Sequence, residues 1–343
     1  MMKKIIVWDL GATKCTAGII QFDPSSQQLI CEKDVTVKIA AADSLENLVM
    51  QIETALQMSM SSADVICIGA AGYYDGECLL LQEPYPYTMH FAKVAKQQAW
   101  PRFQIIHDYA SIICATFTSY MNQPNHIKRL NQQQINPYGR RVAFGIGTGV
   151  GLKDGVLFPN GDFWLGQNEM GHIGVMTPPH ASPHHRKRHE ECLSFLREKL
   201  SLGINESLTF EKILAGKGTV RLYEFLYPSS AAMTPEELGV KMRAGETPEL
   251  MDLFAWFLGL FIGTVQLSFM PEGGIWITGG VALNHLDVFD KPDFIAGIEA
   301  TPAYLTQRKT YPLSVLCHSH HALMGCGYYA ANRLVKNSVV VNY

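Results

Sequence analysis

Residues 7–19 read VWDLGATKCTAGI: an apolar run, then Asp9, Gly11, Ala12 and Thr13, then apolar residues again. Two runs of strand-forming residues around a glycine turn predict a β-hairpin, with an aspartate at the end of its first strand. The pattern returns at residues 141–158, RVAFGIGTGVGLKDGVLF, where Gly147, Thr148 and Gly149 occupy the turn. The recurrence predicts an internal duplication whose halves span residues 5–20 and 142–157.

Working outward, residues 3–11, 15–23 and 29–39 read as three successive strands, with a turn-rich DPSSQQ between the second and third. Residues 44–58 then carry Leu45, Leu48, Val49, Ile52 and Leu56 at helical spacing behind Ser44, a good N-cap. Residues 64–72 and 103–109 read as further strands, so the chain is a strand meander followed by alternating helices and strands, an α/β arrangement. Residues 253–270, LFAWFLGLFIGTVQLSFM, are uncharged, long enough to cross a bilayer, and contain Gly259 and Gly263 in G-x-x-x-G spacing. Thr264, Gln266 and Ser268, the absence of basic flanks and the strand-like GGIWITGG that follows favour a buried core helix.

With 343 residues, 47% of them hydrophobic, the chain can bury the cores of two domains. A net charge of −3 supplies no global field for nucleic acid or anionic membrane, so neither is an expected partner and a bound anion needs a local site. The eight cysteines form no C-x-x-C pair, and the apolar run after Lys3 and Lys4 is too short for a signal peptide; both predict a reducing, cytoplasmic setting.

Neither familiar phosphate loop is present. AGKGT (residues 215–219) fails the Walker pattern because Glu211 stands at its first glycine position and Gly218 at its hydroxyl position, and Gly145 and Gly147 are followed by Val150 where G-x-G-x-x-G needs glycine. What remain are the two hairpin turns, whose N–H groups and hydroxyls could hold phosphate oxygens. Asp9 reads either as a cap on its own turn or as a carboxylate positioning hydrated Mg²⁺ on a nucleotide. A third glycine element, Gly279 and Gly280 between the apolar residues 275–278 and a predicted helix, would let a flat ring approach the backbone.

Taken in order, DLGATK, IIHDY, GIGTGVG, EMGH, FEKILAGKGTVRLYEFL, IWITGGV and CHSHHALMGCGYYA resemble the bacterial glucokinases over nearly the whole chain. The resemblance implies a two-domain actin-like ATPase (ribonuclease H-like) α/β fold with a cleft between domains, and ATP- and Mg²⁺-dependent phosphorylation of a small-molecule hexose, glucose first, at its 6-hydroxyl. It implies domains at 1–108 plus 320–343 and at 109–319, and a homodimer. By position it assigns Asp108 as general base, with helix capping as the alternative, and Glu169, His172 and Glu211 as sugar ligands, Glu211 reading otherwise as a first-turn helix residue. Gly11, Ala12, Thr13, Lys14, Gly147, Thr148, Gly149, Gly279 and Gly280 become nucleotide contacts, and Asp9 the Mg²⁺ carboxylate. The chain departs from the family where His107 replaces the asparagine before the catalytic aspartate, which puts glucose specificity in question, and where Ala12 and Lys14 replace glycine and asparagine. HASPHHRKRHEEC (residues 180–192) matches no zinc-finger spacing and reads as an exposed basic loop.

Overall fold

A computed structural model describes residues 2–81, 87–123, 125–178, 180–318 and 320–335. It divides into two units, Met1–His126 with His318–Tyr343, and Ile127–Cys317. The chain enters the first unit through β1 (Lys3–Leu10), β2 (Lys14–Asp23), β3 (Gln28–Lys38), α1 (Leu45–Leu56), β4 (Val65–Ala70), the small hairpin β5 (Gly72–Tyr74) and β6 (Leu79–Leu81), α2 (Phe91–Gln97), β7 (Phe103–His107) and α3 (Asp108–Thr116). The second unit follows as β8 (Ile127–Arg129), β9 (Arg141–Ile146), β10 (Val150–Leu157), β11 (Phe163–Leu165), α4 (Pro183–Lys199), α5 (Phe210–Leu214), α6 (Gly216–Leu226), α7 (Pro235–Arg243), α8 (Pro248–Phe269), β12 (Ile275–Thr278), α9 (Gly280–Asn284), α10 (Pro292–Glu299), α11 (Leu305–Arg308) and β13 (Leu313–Leu316). α12 (His321–Ala330) returns to the first unit.

The first sheet has the order β3-β2-β1-β4-β7, antiparallel across the meander and parallel from β1 onward. The second has β11-β10-β9-β12-β13 in the same order and the same sense, with β8 added at its edge. The two glycine hairpins are therefore the same element in each unit, the turn between the first two strands, as the duplication predicts.

Apolar spacing fixes the helices. Leu45, Leu48, Val49, Ile52 and Leu56 bury one face of α1, and the Ser44 hydroxyl accepts the Asn47 N–H, a cap worth ~1 kcal/mol. α8 is a core helix, buried inside its own unit along most of its length. Its glycine spacing serves contact with α10: a Cβ on Gly259 would lie 2.1 Å from the Phe294 carbonyl oxygen, and one on Gly263 3.0 Å from that of Ile298. The two backbones thus approach as G-x-x-x-G allows, with no lipid involved.

One expectation fails. Most of residues 180–192 is helical, the first turns of α4, because Ser182 caps it by accepting the His185 N–H and Pro183 sits at the first helical position, where no donor is lost. His189, Cys192 and Leu196 recur at helical spacing on its buried face, and the Trp256 indole N–H donates to His189 Nδ1 at 3.0 Å. Burial pushes the His189 imidazole down to about 4. His189 hid the apolar face because a neutral imidazole serves as a core residue.

Candidate active site

In the first unit the carboxyl ends of three parallel strands lie level: Leu10 of β1 is opposite Ala70 of β4, and Ala70 is opposite His107 of β7. Ligands of open α/β sheets gather at such ends. Asp9 faces Gly69 across the ladder. A Cβ on Gly69 would meet Ser111 Oγ and Cys326 Sγ, each at 3.2 Å, so only glycine leaves that position uncrowded. Asp108 is the first residue of α3 and Asp9 feels its charge: burial first, then Asp108, raise the Asp9 carboxyl to about 6, while Lys14 pulls it down. The Asp108 charge thus disfavours ionisation of Asp9, a repulsion that a cation held there would relieve. Tyr109, buried beside them, is raised by burial and the same two charges.

His107 Nδ1 lies 2.7 Å from Asp108 Oδ1. The Tyr109 N–H donates to Asp108 Oδ1 at 2.8 Å and to His107 Nδ1 at 3.2 Å. His107 thus caps α3, and Asp108 is held beside it as the first residue of the helix. The Gly11 N–H donates to the Lys14 carbonyl at 3.1 Å, closing the turn that also holds Ala12 and Thr13, and Ala12 is not among the residues with positive φ. A methyl group is tolerated there.

In the second unit Gly147, Thr148 and Gly149 join β9 to β10, and the Gly147 N–H donates to the Gly149 carbonyl at 2.9 Å. Glu211, at the start of α5, folds onto this turn: its Oε2 accepts the Val150 N–H at 2.9 Å, and a Cβ on Gly149 would approach that oxygen to 2.8 Å. Its other oxygen lies 3.8 Å from His172 Nδ1. Glu169 precedes His172 on one 3₁₀ turn, where the His172 N–H donates to the Glu169 carbonyl. Gly279 has φ +93°, and a Cβ there would lie 2.4 Å from the Ile146 nitrogen, so the glycine element is pressed against the residue before the turn. Gly280, by contrast, has open space at its Cβ position.

Each unit thus gathers its own share of the expected residues: Asp9, Gly11, Ala12, Thr13, Lys14, His107 and Asp108 in the first, and Gly147, Thr148, Gly149, Glu169, His172, Glu211, Gly279 and Gly280 in the second.

Two participants escaped the sequence reading. Lys153, buried in β10, places Nζ 3.3 Å from the Asn168 carbonyl and 3.7 Å from Glu169 Oε1, and so braces the loop that carries Glu169. Its signal was a Lys-Asp pair inside an otherwise apolar strand. Gly216, which opens α6, donates its N–H to the Gly147 carbonyl at 2.9 Å and left no signal beyond its own identity.

The glucokinase family profile matches residues 6–333. The glucokinase of Saccharophagus degradans is 24% identical over 268 residues, covering 76% of this chain and 78% of that protein. Among solved structures, a glucokinase from an Antarctic psychrotroph superposes with a TM-score of 0.79 at 18% identity, over 97% of this chain and 100% of that one. A ROK-family glucokinase from Streptomyces griseus, solved in complex with glucose and AMPPNP, gives 0.59 at 17% identity, over 94% and 97%. The fold is that of the actin-like ATPases, and with a family match spanning both units and both glycine hairpins, this chain belongs to the glucokinase family of sugar-phosphorylating phosphotransferases.

Proposed function

We propose that the chain transfers the γ-phosphoryl group of ATP to the 6-hydroxyl of glucose, with Asp108 as the general base. The observation that carries this reading is the Asp108 carboxylate at the carboxyl end of β7, 2.8 Å from the Tyr109 N–H and with His107 Nδ1 2.7 Å from its Oδ1. A carboxylate whose hydrogen-bonding geometry is already set can receive the hydroxyl proton without first reorganising, and a positioned base of this kind supplies ~10²- to 10⁴-fold of rate.

The remaining roles follow from donor chemistry. In the first unit, the Gly11–Lys14 turn offers backbone N–H groups, the Thr13 hydroxyl and the Lys14 ammonium to phosphate oxygens. In the second unit the Gly147–Gly149 turn does the same, with the amino end of α6 adding its positive dipole behind it. Glu169, His172 and Glu211 offer acceptors and donors in fixed directions, which is what discriminating among sugar hydroxyls requires. Gly279 and Gly280 leave backbone bare for the adenine and ribose.

Mg²⁺ suits Asp9, and Asp108 beside it, because hard oxygen donors are its ligands and a divalent charge would offset the repulsion that raises Asp9. When bound, it would neutralise charge on the phosphates. Glucose is the expected acceptor by family, although His107 stands where the family carries asparagine; with Nδ1 accepting the Tyr109 N–H, its other ring nitrogen is the one left for a hydroxyl. The test assays the native protein and Asp108→Ala across a panel of hexoses with coupled ADP detection. Nucleotide affinity should persist while turnover with glucose falls by at least ~10²-fold. Near-normal turnover refutes the base, and ADP release with a different hexose reassigns the substrate.

A further inference from the structure

A second set of chemically reactive side chains lies in the first unit, on the far strand of its sheet from β7. Cys31 and Asp34 are three residues apart on β3, a spacing that in a regular strand sends side chains to opposite faces. Here the register with β2 shifts between Ile19 and Ile20: Lys33 pairs with Ile19 and Cys31 with Ile20, which leaves Glu32 outside the ladder. One extra residue resets the alternation. Cys31, opposite Ile20, and Asp34, opposite Gly18, now share a face. That face is the one covered by α12: a Cβ on Gly18 would meet Leu323 at 3.2 Å, and one on Gly327 would meet Ile20 at 3.1 Å.

His320, the residue before α12, comes down onto the same spot, with Nε2 3.3 Å from Asp34 Oδ1. The Cys31 sulfur, a carboxylate oxygen of Asp34 and a ring nitrogen of His320 all lie within 4.8 Å of one another. All three residues remain partly open to solvent. His318 stands behind His320, its ring 4.9 Å away, and its Nδ1 accepts the His320 backbone N–H at 3.3 Å. His320 is thereby held in place by its own main chain.

We propose that Cys31, Asp34 and His320 form a site for a zinc-class divalent cation, with a fourth position left to water. Sulfur, imidazole nitrogen and carboxylate oxygen together are the donor set of zinc rather than of magnesium or calcium, which take oxygen alone. Bonds of ~2.0–2.3 Å in a tetrahedron put neighbouring donors ~3.3–3.8 Å apart, close to the separation Asp34 and His320 already have. The Cys31 thiol reaches the Lys33 carbonyl only at a long 3.9 Å, so little is lost when its sulfur turns to a cation. On binding, the thiol proton passes to solvent and the thiolate takes its place in the coordination shell. The cation would fasten an N-terminal strand to the segment by which the chain returns from the second unit.

The experiment uses the full-length protein stripped with chelator and measures Zn²⁺ by competition with a chromophoric chelator, and Co²⁺ by its thiolate charge-transfer absorption. The native protein should bind one Zn²⁺ per chain and show that absorption. Cys31→Ser and His320→Gln should each weaken Zn²⁺ at least ~10-fold, the size that even an outer partner of a ligand contributes, with unchanged circular dichroism. Cys78→Ser, which removes the other thiol lying against an imidazole, 3.0 Å from His90 Nδ1, should bind as the native protein does. Absence of stoichiometric binding, less than tenfold weakening in Cys31→Ser, or loss in Cys78→Ser instead would each overturn the site.

Discussion

Replacing Asp9 by asparagine tests the electrostatics of the first half-site, and stability rather than activity reads it. The folded carboxyl rises from its ordinary 3.8 to about 6, chiefly through burial and then through Asp108. At ~1.4 kcal/mol per pH unit this is ~3 kcal/mol by which the folded state disfavours the ionised form. The sign follows from linkage. Below the unfolded value both states are protonated and Asp9 costs nothing. Between about 4 and about 6 the unfolded chain releases its proton first, so the native protein loses stability as pH rises; above about 6 the loss is complete and constant.

Asp9→Asn keeps the shape and abolishes the titration. In urea unfolding the variant should be more stable than the native protein by ~1 kcal/mol near pH 4.5 and by ~3 kcal/mol near pH 7.5. A difference that is the same at both pH values, or a variant less stable at the higher one, would refute the account. Mg²⁺ with nucleotide should close the gap from the other side, by stabilising the native protein and not the variant.

Three further outcomes are expected. Gly279→Ala places a side chain at φ +93° and 2.4 Å from the Ile146 nitrogen, and should lower unfolding stability by ~2 kcal/mol or more, read by urea midpoint. His107→Ala removes the imidazole that packs against Asp108 and accepts the Tyr109 N–H, and by loosening the carboxylate's position should cut kcat about tenfold or more with nucleotide affinity unchanged by calorimetry. Ser182→Ala removes the cap of α4 and should lower stability by ~1 kcal/mol; no change would mean that Pro183 alone starts the helix.

The sequence by itself determined the elements and their order. The two hairpins, the capped α1, the strand ending at His107 and the apolar α8 are all legible because each rests on local rules: side-chain period, turn chemistry and caps act within a few residues. Motif order along the chain was enough to carry the family. Where local signals mislead, as in residues 180–192, histidine's double nature is the reason, since the same imidazole serves solvent when charged and a core when neutral.

Tertiary structure decided the rest. That Glu211 folds onto the Gly149 turn, that Lys153 braces Glu169, that Asp9 titrates against Asp108, and that Gly259 faces a helix rather than lipid all depend on residues tens of positions apart. Cys31 and Asp34 are the sharpest instance: their spacing predicts opposite faces, and a single extra residue in the ladder puts them on one. Sequence period fixes where a side chain points relative to its neighbours. Only strand register and packing fix what it points at, because those contacts form between segments whose separation along the chain carries no local signal.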